Sequence, residues 1–368
     1  MNDINNDVVL FQELACANGK RIGVAQLNSE RTLNSLSLPM IRLLYPQLQQ
    51  WAQDDHIVAV FLHGAGEKAF CAGGDVKQIC LSVKANGIDD TAAEDIFSAE
   101  YRLDYFIHCF PKPMIVWATG IVMGGGIGLL CGASHRVVTE TSRLAMPEIN
   151  IGLYPDVGGS WFLGRLGKIG LFLGMTAANI NAQDALTINL ANFSAESSQR
   201  QTVIDALTTL DWSNDVIDHH QQVTQLLAQY QYSALAPSQL QTHQVEIEQR
   251  TTATSFTALY QQLTAPSEHA WLNKAANTLK AGSPTSAALI YRQWQNGQQL
   301  SLADCFRQEL NLSVQCARHH DFIEGVRALL VDKDQQPRWQ PATIGELTDA
   351  WLDEHYQPLW PKHPLADL

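Results

Sequence analysis

Residues 113–130 read Pro-Met-Ile-Val-Trp-Ala-Thr-Gly-Ile-Val-Met-Gly-Gly-Gly-Ile-Gly-Leu-Leu, and this stretch decides the fold class. The apolar run Pro113 to Ala118 predicts a buried strand. The glycine run Gly124 to Gly128 follows, and it places no side chains over the backbone N–H groups. Leu129 and Leu130 continue the run as a buried helix. We therefore expect a strand, a glycine turn and a helix whose start stabilises an anion.

The same order of elements occurs earlier in the chain. Residues 57–62 form a continuous apolar run that predicts a buried strand, and a loop carrying Phe70-Cys-Ala-Gly-Gly-Asp75 follows it. Before it, Val8 to Leu14 and Arg21 to Leu27 are β-prone and are separated by the turn signal Asn18-Gly19. Alternating strands and helices favour an α/β core over about the first 210 residues.

Helical signals continue on both sides of this core pattern. Residues 38–51 predict a helix with a kink or break at Pro46. Further along we expect a helix over 92–110 carrying Glu100, a strand over 135–139, an apolar helix over 161–175, a helical insertion beyond about 190, and helices from Ser283 to Leu330. Ser283-Pro284 has the composition of a helix N-terminus. These signals divide the chain into an α/β core, 1–210, and a helical insertion with a helical C-terminal region, 211–368.

The segment Pro147 to Gly159 reads Pro-Glu-Ile-Asn-Ile-Gly-Leu-Tyr-Pro-Asp-Val-Gly-Gly and carries two carboxylates, Glu148 and Asp156. Its glycines and Pro155 prevent a continuous helix and predict tight bends. We expect this irregular segment to aim both acids at one point.

Composition excludes several classes of function. The 368 residues are 46% hydrophobic and carry a formal net charge of −13. This negative charge argues against binding to nucleic acid or to an anionic membrane surface. The start of the chain is polar and acidic, and no long apolar run is present, so we expect a cytoplasmic protein. The seven cysteines include no Cys-x-x-Cys, and the twelve histidines are scattered, so no metal site is predicted. His219-His220 and His319-His320 are expected to be exposed helix pairs.

The glycine loops fail the patterns of nucleotide-binding and serine-hydrolase folds. Gly64-Ala-Gly66 lacks the third Rossmann glycine, no Gly-Lys-Ser/Thr follows a glycine loop, and Gly158-Gly-Ser160 lacks the closing glycine of a nucleophile elbow. Two glycine-flanked segments and two carboxylates remain. Backbone N–H groups can hold a developing oxyanion, and a carboxylate can act as base or nucleophile, so this set suits chemistry at a thioester or a similar carbonyl.

Four motifs in order give a resemblance to a known family. Thr32-Leu-Asn-Ser-Leu36, Gly66-Glu-Lys-Ala-Phe-Cys-Ala-Gly-Gly-Asp75, Met123-Gly-Gly-Gly126 and Met146-Pro-Glu148 resemble the crotonase (enoyl-CoA hydratase/isomerase) superfamily. Within it, residues 148–159, Ser283-Pro-Thr-Ser286, and residues 321–328 with 332–335 resemble the 3-hydroxyacyl-CoA thioester hydrolases. The resemblance covers nearly the whole chain and is thinnest between residues 190 and 280.

The resemblance implies an α/β fold with a crotonase-like core of repeated ββα units, two nearly perpendicular sheets and a helical C-terminal region. It also implies an oxyanion hole formed by the N–H groups of Gly74 and Gly125 around the thioester carbonyl. Glu148 and Asp156 fall where the hydrolases carry their catalytic acids. Glu100 falls at the position of a substrate-contacting glutamate. Lys77 has two open interpretations, a contact to a CoA phosphate or a solvated surface lysine.

One departure separates the branches of the superfamily. Hydratases carry a second catalytic glutamate shortly after the glycine run, where this chain has Gly128, so the resemblance disfavours hydration and favours hydrolysis. The expected substrate is 3-hydroxyisobutyryl-CoA in valine breakdown, with coenzyme A as part of the substrate and no separate cofactor. A hydratase or isomerase and a non-catalytic CoA-ester binder stay as alternatives. A homo-oligomer is an open expectation, because trimers and dimers of trimers recur in the superfamily.

Overall fold

A computed structural model describes residues 8–87 and 90–368. Its strands are β1 (Val9–Ala15), β2 (Arg21–Leu27), β3 (Ile57–Gly64), β4 (Ala69–Cys71), β5 (Met114–Ala118), β6 (Ile121–Met123), β7 (His135–Thr139), β8 (Arg143–Ala145), β9 (Ile180–Asn181) and β10 (Phe193–Ala195). Its α-helices are α1 (Leu38–Gln53), α2 (Val76–Asn86), α3 (Ala92–His108), α4 (Gly125–Gly132), α5 (Gly159–Arg165), α6 (Gly167–Thr176), α7 (Ala182–Thr187), α8 (Arg200–Thr209), α9 (Val216–Gln229), α10 (Gln239–Thr242), α11 (Gln244–Arg250), α12 (Phe256–Thr264), α13 (Ala270–Ala281), α14 (Pro284–Gly297), α15 (Leu302–Arg318), α16 (His320–Val326) and α17 (Asp349–Glu354). The predicted α/β class and the helical C-terminal region are confirmed. None of the described helices is long and apolar enough to cross a membrane.

The chain forms two compact units. The first takes the described residues up to Gly74 together with Phe106–Leu144 and Ile180–Ser238, and the second takes those of Asp75–Tyr105, Ala145–Asn179 and Gln239–Leu368. Each unit combines separated segments of the chain. The boundary between residues 210 and 211, predicted from the sequence, stays a prediction.

The first unit contains the β-sheets, except for Ala145 at the end of β8. One sheet has the strand order β1-β2-β3-β5-β7-β10, and a smaller one has the order β4-β6-β8-β9. Strands β1 and β2 are antiparallel, whereas β2-β3, β3-β5, β5-β7 and β7-β10 are parallel. Every residue of β3 and β5 is buried, as expected of continuous apolar runs inside a parallel sheet.

The core of the first unit lies between the larger sheet and helices α8 and α9. It is formed by Ile22, Val24, Val58, Ala59, Phe61, Ile115, Trp117, Val137 and Ala195 on the strands and by Val203, Ile204, Leu207, Trp212, Val223, Leu226 and Leu227 beyond them. Apolar burial of this kind contributes about 25 cal/mol per Å², so these side chains hold the helices on the sheet. β10 lies in the region beyond residue 190, where the strand signal fades, and it was not predicted.

Two local features of the first unit test the turn and helix signals. Asn18 and Gly19 have φ values of 62° and 72°, so the predicted Asn-Gly turn joins β1 to β2. Helix α1 instead continues through Pro46 to Gln53, and the predicted break is wrong. A proline inside a helix costs about 3 kcal/mol. Leu48 and Trp51 lie beyond it and are fully buried, which offsets that cost.

The second unit is mainly helical, and its main helix packing brings α14 against α5 and α6. The predicted start of α14 is confirmed, because the Ser283 hydroxyl accepts the Ser286 N–H at 3.0 Å and Pro284 is the first helical residue. The prediction of a single helix over residues 161–175 is wrong, because two helices, α5 and α6, cover this stretch. Gly167 adopts φ +58° and separates α5 from α6, and a left-handed glycine ends a helix.

Candidate active site

The segment between β8 and α5 is irregular, as predicted. Glu148 begins a short 3-10 helix, Glu148–Ile151, which ends at Gly152 with φ 68°. A Cβ at Gly152 would lie 2.2 Å from the Asp321 carbonyl carbon, so only glycine fits there. After Asp156, Val157 and Gly158 both adopt positive φ, 51° and 85°. Positive φ at a β-branched residue stores about 1–3 kcal/mol of strain, so other contacts must hold this turn.

Glu309 on α15 supplies those contacts. Its carboxylate accepts the Gly158 N–H at 2.7 Å, the Ser160 N–H at 2.9 Å and the Ser160 hydroxyl. The side chain is fully buried. Burial outweighs these three donors and raises the pKa of Glu309 to about 8. Glu309 therefore fixes the start of α5 and the turn that follows Asp156.

Asp156 itself is 4% exposed and is held by a tyrosine. The Tyr101 hydroxyl on α3 donates to its Oδ2 at 2.5 Å. Burial raises the pKa of Asp156 to about 6, and the hydrogen bond from Tyr101 opposes that rise. The Asp156 carboxyl group therefore changes its charge within a physiological range of pH.

Glu148 is buried beside Asp156 and is held less tightly. Among the described residues its Oε2 has no hydrogen-bond partner. Burial, and next the charge of Asp156, raise the pKa of Glu148 well above its ordinary value. The two acids interact electrostatically, as the irregular segment led us to expect.

Helix α3 brings two further acids to this group. Glu100 is 2% exposed, and burial with the Asp156 charge raises its pKa well above the ordinary value. Asp104 lies one turn further along α3 and is fully buried. Among the described residues, Glu100 Oε1 and both Asp104 carboxyl oxygens have no hydrogen-bond partner. The second unit thus contains a cluster of buried acids, Glu100, Asp104, Glu148, Asp156 and Glu309, which we call the acid cluster.

The two glycine segments lie beside each other in the first unit. Gly125 is the first residue of α4 and is buried, while half-buried Gly74 forms a β-bridge with Leu36. A Cβ at Gly126 would lie 2.3 Å from the Cys71 carbonyl oxygen, and one at Gly73 would lie 3.4 Å from that of Met123. The missing side chains let the two backbones approach closely. The predicted helix is confirmed, and it begins inside the glycine run, at Gly125.

Comparisons with known proteins identify the family of this chain. The family model described as enoyl-CoA hydratase/isomerase matches residues 22–356. This chain belongs to the enoyl-CoA hydratase/isomerase family. It is 39% identical to the mitochondrial 3-hydroxyisobutyryl-CoA hydrolase of Danio rerio, over 95% of this chain and 90% of that protein. The corresponding protein of Homo sapiens is 35% identical, over 95% of this chain and 89% of its own length.

Solved structures of the enoyl-CoA hydratase/isomerase family share the whole fold. A carnitinyl-CoA dehydratase from Mycobacterium thermoresistibile superposes with a TM-score of 0.84 at 33% identity, covering 97% of this chain and 98% of its own. An enoyl-CoA hydratase from Rhodobacter sphaeroides 2.4.1 gives a TM-score of 0.83 at 29% identity, covering 96% of this chain and 98% of its own. The crotonase-like fold expected from the sequence is confirmed.

The structure brings together some of the residues predicted for a member of this family. Glu100, Glu148 and Asp156 share the acid cluster, whereas Lys77 is exposed on the first turn of α2. The roles assigned to these residues stay predictions.

Two acids of the cluster were missed by the sequence analysis. Asp104 follows Glu100 at the i, i+4 spacing that places two residues on one face of a helix. Glu309 interrupts the buried stripe Cys305, Leu312 and Cys316 on α15 at helical spacing. A carboxylate in an apolar stripe was therefore the available signal for Glu309.

The predicted exposure of the histidine pairs is only partly right. His320 is exposed, but His219 is 3% exposed and its Nε2 lies 2.8 Å from the Ser213 carbonyl oxygen. Within residues 8–87 and 90–368, no group of three or more His, Cys, Asp or Glu side chains is arranged to hold a metal ion.

Proposed function

We propose that this chain hydrolyses a short-chain 3-hydroxyacyl-CoA thioester, with 3-hydroxyisobutyryl-CoA as substrate and 3-hydroxyisobutyrate and free CoA as products in valine breakdown. The observation that carries the proposal is the buried Glu148, whose Oε2 has no partner among the described residues and whose carboxyl group interacts with Asp156. Relatives named 3-hydroxyisobutyryl-CoA hydrolase match 95% of the chain and support it.

Hydrolysis requires a group that activates water and donors that stabilise the tetrahedral oxyanion. In the proposal Glu148 removes a proton from water or attacks the thioester carbonyl itself, and both routes stay open. The N–H groups of Gly74 and Gly125 stabilise the oxyanion, where one such donor is worth about 3 kcal/mol. The C–S bond then breaks, CoA leaves as its thiol with one proton, and the acyl group keeps the oxygen of water.

The remaining predicted residues act on the substrate. Asp156 orients the 3-hydroxyl group or assists proton transfer, and Glu100 contacts the acyl part. Lys77 is exposed, which is compatible with a contact to a CoA phosphate and equally with a solvated lysine. Coenzyme A is part of the substrate, and the proposal includes no other cofactor and no metal.

The Glu148→Gln variant tests the proposal. Glutamine has the shape of the carboxylic acid but cannot act as a base or form an anhydride. We expect turnover to be abolished and CoA-ester binding to be largely unchanged. The measurement is free-thiol release from 3-hydroxyisobutyryl-CoA, 3-hydroxypropionyl-CoA, acetyl-CoA and crotonyl-CoA, with calorimetric binding of CoA esters to the variant. The exposed Glu354 provides the matched control, Glu354→Gln. Wild-type turnover in Glu148→Gln would refute the assignment.

Hydration or dehydration of an enoyl-CoA is the second candidate. Both solved structures above are named for such reactions, and they cover nearly the whole chain. Gly128 lies where hydratases of the superfamily carry their second glutamate and argues against it. With crotonyl-CoA, loss of the absorbance of the conjugated thioester without thiol release would favour this candidate. A chain that binds CoA esters without either change would be a non-catalytic binder.

The compartment and the assembly are proposals as well. The relatives carry the word mitochondrial in their names, whereas the polar, acidic start of this chain predicts a cytoplasmic protein. Cell fractionation with an antibody against the chain distinguishes the two compartments. Sedimentation of the purified protein tests the proposed homo-oligomer. We propose an acyl-CoA as the partner and neither nucleic acid nor a membrane, because the net charge is −13.

A further inference from the structure

Three buried hydroxyl groups connect Asp156 to the main chain of α15. The Tyr101 hydroxyl lies 2.5 Å from Asp156 Oδ2 and 2.7 Å from Ser313 Oγ. Ser313 Oγ lies 2.9 Å from the Tyr154 hydroxyl, which lies 2.8 Å from the Glu309 carbonyl oxygen. We call this sequence of four contacts the hydroxyl chain. All of its side chains are buried, so each contact without a proton has no nearby solvent to compensate for it.

Counting protons shows that the hydroxyl chain is incomplete when Asp156 is ionised. A tyrosine or serine hydroxyl donates one proton, and a carboxylate or a carbonyl oxygen donates none. Three hydroxyl groups therefore supply three protons to four contacts. With Tyr101 donating to Asp156, Ser313 to Tyr101 and Tyr154 to the carbonyl, the contact between Ser313 and Tyr154 holds no proton.

Protonation of Asp156 supplies the fourth proton. Asp156 then donates to Tyr101, Tyr101 donates to Ser313, Ser313 donates to Tyr154, and Tyr154 keeps its bond to the carbonyl. All four contacts now contain a proton. The change requires only that Tyr101 and Ser313 turn about their C–O bonds, while every heavy atom stays in place. Because the far end is a carbonyl oxygen, which takes no proton, the hydroxyl chain reorients but does not conduct protons.

We propose that Tyr101, Ser313 and Tyr154 are positioning residues that hold Asp156 in one place in both of its protonation states. Asp156 can then accept a proton from the substrate side and return it within one turnover without rearrangement of the site. The inference rests on the role proposed above for Asp156. It adds residues that touch the reaction only through that carboxylate.

The surroundings of Asp156 make both protonation states accessible. Titratable groups that interact with it come from three elements: Glu100, Tyr101 and Asp104 on α3, Glu148 and Tyr154 on the irregular segment, and Glu309 and Cys316 on α15. None of these groups is a cation. Burial favours the neutral acid and the bond from Tyr101 favours the ion, which leaves the pKa of Asp156 at about 6.

The experiment is a direct titration of the Asp156 carboxyl group in the full chain by ¹³C NMR of protein labelled at the aspartate carboxyl carbons. The Asp156→Asn variant identifies the resonance. Tyr101→Phe removes the donor to the ionised carboxylate, and hydrogen bonds to charged groups are the stronger ones, so we expect the pKa to rise by about one unit. Ser313→Ala removes one protonated contact from the ionised state, the donation from Ser313 to Tyr101, and two from the protonated state, those with Tyr101 and Tyr154. The protonated state loses more, so we expect the pKa to fall.

Opposite signs distinguish the hydroxyl chain from a general loss of packing. Tyr356→Phe is the matched control, because it removes the hydroxyl of a half-buried tyrosine that contacts Gln293 and not the hydroxyl chain. It should leave the Asp156 titration unchanged. Shifts of the same sign in Tyr101→Phe and Ser313→Ala, or no shift in either, would overturn the inference. If Tyr101→Phe does not fold, a fall of the pKa in Ser313→Ala supports the inference and an unchanged pKa overturns it.

The titration does not depend on turnover, so the two proposals fail separately. Absence of thiol release from every ester, with opposite shifts in the two variants, would refute the hydrolase and keep the hydroxyl chain. Thiol release without those shifts would support the hydrolase and refute the hydroxyl chain. Where thiol is released, the acid limb of kcat/KM should move in the same direction as the NMR titration in each variant.

Discussion

Replacing Glu309 with alanine should loosen the turn that carries Asp156 by an amount that the contacts define. The substitution removes the acceptor of two main-chain N–H groups, those of Gly158 and Ser160, at 2.7 and 2.9 Å. A buried group left without its partner costs about 1–3 kcal/mol, so the two amides together cost about 2–6 kcal/mol. Relaxation of the turn would release part of the strain at Val157, where φ is 51°. We therefore expect a net loss of about 2–4 kcal/mol.

Two measurements check this expectation. The first is the guanidinium midpoint of unfolding, followed by tryptophan fluorescence. The second is deuterium uptake by a peptide covering residues 153–161, where a loss of about 2 kcal/mol corresponds to an exchange rate roughly 30-fold higher. Glu354→Ala is the control, because that helical glutamate is exposed. The reasoning fails if Glu309→Ala unfolds at the same midpoint as the control and exchanges residues 153–161 no faster than the wild type.

Three further outcomes follow from burial and close contact. Burial raises the pKa of Glu309 to about 8 from an ordinary value near 4.5, so between these two pH values the folded chain binds more protons than the unfolded chain. Stability should therefore fall as the pH rises from about 4.5 to about 8. Urea midpoints measured against pH should fall less steeply in Glu309→Ala. Gly126→Ala would place its Cβ 2.3 Å from the Cys71 carbonyl oxygen and should lower stability by about 1–3 kcal/mol, measured by thermal unfolding. Gly345→Ala should not, because its Cβ would meet only Thr343 Oγ1 at 3.9 Å, an ordinary contact. Burial raises the pKa of Asp104 well above its usual range, so the neutral asparagine of Asp104→Asn should be tolerated. We expect the free energy of unfolding of this variant at pH 7 to lie within about 0.5 kcal/mol of the wild-type value. A loss of several kcal/mol would show that Asp104 is an ionised, paired carboxylate.

Local signals in the sequence gave correct predictions where neighbouring residues decide the structure. The Asn18-Gly19 turn and the Ser283-Pro284 helix start are confirmed because each depends on a few adjacent φ values and one capping bond. Of the kink or break expected at Pro46, the break is wrong, because burial of residues beyond the proline keeps the helix continuous. The division at Gly167 was missed although glycine was a visible signal, because an apolar run predicts one helix unless the left-handed turn is recognised.

In the candidate site, too, the sequence predicts what neighbouring residues decide and misses what packing between distant residues decides. Glu148 and Asp156 were found because they lie in one short segment between bends. Asp104 and Glu309 were not found, because a carboxylate on a helix is usually exposed, and only packing places these two in the interior. The resemblance to a family could assign positions in motifs, but it could not indicate an acid that supports those positions from another helix.

The distribution of hydrogen bonds within the acid cluster suggests how the burial of so many acids is tolerated. An ionised carboxylate without a partner costs several kcal/mol in the interior, and the cluster contains no cation to compensate for it. Asp156 and Glu309 receive donors from side chains and from the main chain and are therefore held in place. Glu148 keeps an oxygen without a partner among the described residues. Such an oxygen is destabilising in the free protein, as are the oxygens of Glu100 and Asp104 that also have no partner among the described residues. In the proposed function it is Glu148 Oε2 that meets a water molecule or a carbonyl carbon, so the proposal accounts for this part of the stability cost.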